Sequence, residues 1–187
     1  MEGDKAMRYN FHVNLNDRDY LDYNIFWTIR SPYGKKQMLT FRIVIAVLLV
    51  CISLLSLSGG GFSTEALIGI IPYAVLLVLL ELLLNPLFTW ILKSNIKSLK
   101  SKGKMGYSPT SNMEFYSEAF VETTPENRCE QKYSAIERIS VITDKVIYIH
   151  VNNVMSYILP FSSFESGEQW NDFLSFIKTK CANIDVY

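Results

Sequence analysis

Residues 43–57 read Ile-Val-Ile-Ala-Val-Leu-Leu-Val-Cys-Ile-Ser-Leu-Leu-Ser-Leu, and residues 66–84 read Ala-Leu-Ile-Gly-Ile-Ile-Pro-Tyr-Ala-Val-Leu-Leu-Val-Leu-Leu-Glu-Leu-Leu-Leu. A helix crossing a bilayer needs ~20 such residues, and a soluble domain rarely carries two runs back to back. The pair predicts a transmembrane hairpin over 38–92: a first span about 38–57, an outside loop 58–65 and a second span about 66–86. The competing reading is a buried soluble hairpin. Arg42 sits at the inner edge of the first span, where a long side chain can snorkel to water.

Composition agrees that only part of the chain lies in lipid. Of its 187 residues 49% are hydrophobic, yet 19% are charged. The net charge is zero, so no global field recruits nucleic acid. Cys51, Cys129 and Cys181 lie far apart without metal-ligand spacing, which indicates neither zinc nor a disulfide framework and suits a reducing cytosolic side. The first apolar run starts too late for a cleaved signal peptide, so the hairpin is expected in the mature protein.

Charge orients the hairpin. Arg30, Lys35, Lys36 and Arg42 precede it and Lys93, Lys97, Lys100, Lys102 and Lys104 follow it, whereas 58–65 has no Lys or Arg. Both termini are therefore expected in the cytoplasm of a multi-pass cell-membrane protein. Gly59–Gly61 reads as a turn, with Ser63 or Thr64 capping the second helix. Arg30, Lys35, Lys36, Lys93, Lys97 and Lys100 are candidate contacts to anionic lipid, although topology alone also explains them.

Glu81 is the polar anomaly of the second span and a candidate intramembrane functional residue, for a cation or proton relay or a partner contact. The plainer alternative pairs it with Arg42. Pro86, the other intramembrane candidate, removes a backbone donor and is expected to kink the helix, leaving an amphipathic tail with Trp90 at the inner interface.

The arm 1–37 begins with alternation over Phe11-His-Val-Asn-Leu-Asn16, the period of a half-buried strand. From Asp17 to Arg30, Leu21, Ile25 and Ile29 recur at helical spacing until Ser31-Pro-Tyr-Gly34 breaks the pattern. This aromatic helix either lies on the inner leaflet or packs on a cytoplasmic domain. Residues 93–111 read as a basic linker. From 112 to 187 come short strands, Met113–Tyr116, Ala119–Thr123, Gln131–Tyr133, Ile136–Ile142, Val146–Val151 and Met155–Pro160, with turns at Thr143-Asp144-Lys145 and Asn152-Asn153. Ser166 caps a final helix whose Trp170, Phe173, Leu174 and Ile177 cover the sheet, with Gln169 at the reciprocal position. The Phe11–Leu15 strand is expected to complete this small core.

Tyr133-Ser-Ala-Ile-Glu-Arg-Ile139, Asp144-Lys-Val-Ile-Tyr-Ile149, Asn152-Asn153, Tyr157-Ile-Leu-Pro-Phe-Ser-Ser-Phe164 and the Trp170–Lys178 helix resemble the carboxy-terminal domain of the YcxB-like family of bacterial membrane proteins. The resemblance implies a pleckstrin-homology-like (PH-like) barrel capped by a helix, in a family without a settled activity. Where the family often has Trp this chain has Tyr133, and where it has a basic residue after the proline this chain has Phe161, which argues against an anion site there. The expected fold class is thus α+β, a two-helix transmembrane hairpin with a small antiparallel cytoplasmic domain.

His12 and His150 fall in predicted strands without a partner carboxylate or nucleophile, and Cys129 is placed in a turn beside Arg128, where a plain exposed cysteine is a commoner reading than a reactive one. No catalytic, cofactor or metal signature results. The expected function is non-enzymatic: a membrane-tethered module that binds a protein partner or lipid headgroups, in one form an immunity factor against a bacteriocin or toxin. The alternative is an oligomeric transport component using Glu81.

Overall fold

The computed structural model describes residues 6–57, 64–152 and 155–187. The expected outside loop up to residue 63, with Gly59–Gly61 and the Ser63 cap, lies outside the described residues, as does Asn153 of the expected turn. The chain is α+β and forms two compact units, one from both ends of the sequence (up to Tyr23 and from Met105) and one over Asn24–Lys104.

Helix α1, Asp17–Ile25, joins the two units. Asn16 caps it: its Oδ1 accepts from the Arg18 and Asp19 amides at 2.8 and 3.1 Å, and Asp19 Oδ2 accepts back from the Asn16 amide at 3.0 Å. A π-helical turn, Phe26–Arg30, follows. The break is confined to Ser31, whose extended backbone (φ −62°, ψ 154°) frees its Oγ to accept from the Gly34 amide at 2.9 Å, while Pro32 opens α2, Pro32–Leu57. The first helix therefore begins six residues before the expected span.

Helix α3, Thr64–Ser101, is unbroken through Pro72 and Pro86. Residues 93–101, expected as linker, are helical, because neither Gly nor Pro interrupts them and Leu, Ile and Lys support a helix. It ends in a Schellman motif: Gly103 takes φ 65°, its amide donates to the Lys100 carbonyl at 3.0 Å, and Lys104 donates to Leu99 at 3.0 Å. Both helices are long and apolar enough to span a membrane, and their large side chains point outward, with Leu55 72% and Leu82 69% exposed. A soluble core helix would bury them.

The other unit holds two four-stranded sheets. Sheet A runs in the order β1 (Tyr9–Asn14), β2 (Thr110–Phe115), β3 (Ala119–Thr123), β4 (Arg128–Lys132), all antiparallel. The amino-terminal strand thus pairs with β2, Tyr9 opposite Phe115 and Asn14 opposite Thr110. Sheet B runs β7 (Ser156–Pro160), β6 (Val146–His150), β5 (Arg138–Ile142), β8 (Ile184–Val186). Asp144 turns β5 into β6 with φ 54°. β8 follows helix α4 (Gly167–Lys178) and lies parallel to β5, so the expected pure meander ending in a helix is corrected. A three-residue strand carries too little alternation to be recognised.

Helix α4 closes the core with Trp170, Phe173 and Ile177, each 2% exposed or less. Ser166 Oγ accepts from the Gln169 amide at 3.2 Å, while Gln169 Oε1 accepts from Glu165 at 2.8 Å, one residue before the cap. Phe173 meets the rings of Tyr9, Phe11 and Phe115 edge-on at 5.3, 5.0 and 4.8 Å. Edge-to-face pairs add ~0.5–1.5 kcal/mol each beyond area burial, so this aromatic junction ties β1, β2 and α4 together.

Candidate functional site

Of the predicted intramembrane candidates, Glu81 lies within one α-turn of Asn85 on α3, and both face Arg42 of α2. Arg42 Nε stands 3.4 Å from Glu81 Oε2, an ion pair without hydrogen-bond alignment, and Nη2 donates to Asn85 Oδ1 at 3.3 Å. The carboxylate is thus neutralised by a neighbour, the plainer of its two expected settings. Asn85 was not foreseen, though its spacing of four from Glu81 puts both on one helix face. Pro86 follows it directly and withholds the amide that would bond the Leu82 carbonyl. Between residues 68 and 92 Glu81 is the only acid, so no carboxylate chain continues from it along α3.

The basic candidates form two groups. Arg30 ends the π-turn and Lys35 and Lys36 lie in the first turns of α2, all exposed. Lys93, Lys97 and Lys100 are exposed on α3 at spacings of four and three, hence on one face. Lys100 stands ~22 Å along the helix from Asn85.

In the sheet unit His150 is 2% exposed, with Nδ1 2.8 Å from Ser156 Oγ and Nε2 3.2 Å from Ser140 Oγ. Burial, with Arg138 adding to it, lowers its pKa to about 4, so the ring is neutral near pH 7 and both nitrogens are engaged. His12 is exposed on the outer face of sheet A, opposite Asn112.

Cys129 is corrected from turn to strand: it lies in β4 opposite Glu122, half-buried, and accepts from Gln131 Nε2 at 3.3 Å. Register places Glu122 on the same face as Met113, so this carboxylate points inward. Burial raises its pKa and the Ser111 hydroxyl partly offsets that rise. Tyr157 faces them from β7, its buried oxygen making no well-formed hydrogen bond although it lies against Cys129 and Gln131. Burial, then the thiol and Glu122, raise that phenol far above its ordinary range. Such a phenol holds its proton near pH 7, so Tyr157 is a poor nucleophile. Among the described residues no group of His, Cys, Asp and Glu has the arrangement of a metal site.

Neither a curated protein nor a solved structure matches the chain. Residues 115–177 do match the family model for YcxB-like proteins, a stretch running from the end of β2 to the last turn of α4. The protein carries a YcxB-like domain.

Proposed function

We propose that the protein is a non-enzymatic, two-span membrane protein with both termini cytoplasmic, whose PH-like sheet domain holds a protein partner at the membrane. The observation that carries this reading is a contrast in surfaces. α2 and α3 present Leu, Ile and Val outward over more than four turns each, while the sheet unit buries its aromatic core and presents polar residues on its outer face. In one row the polar Asn10, Glu114 and Glu130 flank the buried Val121 across the four strands of sheet A. Two sheets capped by α4 support the PH-like description.

Lys36 lies ~3 Å beyond Met38 along α2, within headgroup reach, and on α3 Lys97 and Lys100 lie ~6 and ~10 Å beyond Lys93, which orders the lysines by depth. The Arg42–Glu81 pair supports a structural role for the carboxylate over a transport role.

The test is affinity purification of the tagged full chain from its native cells, compared with a Glu114→Lys/Glu130→Lys double variant. A partner captured by the first and lost from the second supports the reading; capture of lipid alone overturns it. Reporter fusions at each terminus test the topology. One concrete form is self-protection against a bacteriocin or membrane-active toxin, tested by survival of a deletion strain.

A further inference from the structure

Within the helical unit, the π-turn, the first turns of α2 and Phe88 of α3 enclose an open groove of about 610 Å³, inside the ~300–1,000 Å³ range of ligand sites. Its polarity runs in one direction. Lys36 and Gln37 stand at one end, Phe41 and Val44 at the other, and Phe88 forms the far wall, its ring edge-on to Phe41 at 5.7 Å. Lys36 and Val44 are ~12 Å apart along α2. Among the described residues no Asp or Glu lines the groove, and Lys35 adjoins Lys36 in sequence. Thr40 spends its hydroxyl on the Lys36 carbonyl at 3.0 Å, so the cation is the chief polar group left for a ligand.

We propose that this groove seats one anionic glycerophospholipid, its phosphate on Lys36 and an acyl chain over Phe41 and Val44 against Phe88. The proposal rests on the reading of α2 and α3 as membrane spans. Counting ~20 residues of hydrocarbon depth back from Leu57 reaches Met38, which puts Lys36 at phosphate level and Val44 ~9 Å inside the apolar layer. The groove's gradient therefore matches that of a lipid standing in the inner leaflet. An extended protein segment reaching the same site would leave backbone amides unpaired in hydrocarbon, and a lipid has none.

The test is native mass spectrometry of the purified full chain in detergent, with dioleoylphosphatidylglycerol or dioleoylphosphatidylcholine added. One phosphatidylglycerol is expected to remain bound in preference to phosphatidylcholine. Lys36→Gln should weaken it about fivefold, the worth of one lysine at an anionic surface. Val44→Trp should expel it by filling the apolar end, and Lys100→Gln, ~18 Å beyond Phe88 along α3, should leave it unchanged. Equal retention by Lys36→Gln, no preference between the lipids, or a second copy of the chain bound in place of lipid overturns the proposal. Alkaline extraction of native membranes separates the two readings. A chain released to the supernatant overturns the membrane reading, whereas a chain in the pellet that retains no phosphatidylglycerol overturns the groove alone.

Discussion

Arg42 and Glu81, 39 positions apart in sequence, face each other across the helical pair at 3.4 Å, and Asn85 takes the second edge of the guanidinium. A charge near lipid is tolerated when it is paired, and removing one partner exposes the other to the full desolvation cost. Glu81→Gln is therefore expected to lower the melting temperature of the detergent-solubilised protein, and Arg42→Gln to do the same. The double variant should recover part of the loss, with a coupling of about 1–3 kcal/mol. Additive losses would show that the pair contributes nothing to holding α2 on α3.

His150 gives the sheet unit a pH dependence of fixed sign. Its folded pKa, about 4, lies below the ~6.5 of an unfolded histidine, so between these values the unfolded chain binds the extra proton. Stability is complete above pH ~6.5 and is lost progressively as pH falls towards 4, by roughly 3 kcal/mol in all. The groups seen around the ring among the described residues, Ser140, Ser156, Tyr23, Tyr148 and Arg138, include no carboxylate. Ring resonances of His150 followed by NMR should stay in the neutral form down to about pH 5; a midpoint near 6.5 would refute the burial argument.

What the sequence made legible follows the strength of local periodicity. The two apolar runs, the alternation at Phe11–Leu15, the Thr143-Asp144-Lys145 turn and the Ser166 cap each rest on several residues acting together, and each element stands in the structure. Helix ends were harder. Asn16 and Gly103 decide where α1 starts and α3 stops through single side-chain or φ preferences, which a search for hydrophobic periods passes over. β8 was invisible because its stability comes from β5, not from Ile184-Asp-Val186. The inward Glu122, and with it the setting of Cys129, depends on register, which three-dimensional pairing alone assigns.

Sheet A is incomplete without the chain's first residues. Phe11 and Val13 are each 1% exposed, and Tyr9 donates its hydroxyl to Asp172 Oδ2 at 2.7 Å; burial, with that bond, pushes its pKa up to about 12. A fragment of residues 105–187 alone should give the poorly dispersed NMR spectrum of a loosened core. Joining residues 6–23 to it through a flexible linker should restore dispersion, and Phe11→Ala in the joined chain should cost ~3–5 kcal/mol. A well-folded 105–187 fragment would show that β1 is an ornament on a complete domain.

Two helical glycines should respond in opposite ways to the same methyl group. At Gly34 an added Cβ would collide with the Trp27 carbonyl oxygen and lie 2.5 Å from that of Thr28, both backbone atoms that cannot swing aside. The close approach of α2 to the π-turn requires that glycine, and Gly34→Ala should destabilise the helical unit and pry the two apart. At Gly69 nothing lies within 4 Å of the Cβ position, and the residue sits inside α3. Gly69→Ala should be neutral or stabilising by up to about 1 kcal/mol, the helix propensity difference. Thermal melts of the two variants in one detergent compare them directly. If Gly34→Ala melts with the parent protein, the packing of α2 against residues 26–30 is looser than the carbonyl contacts require.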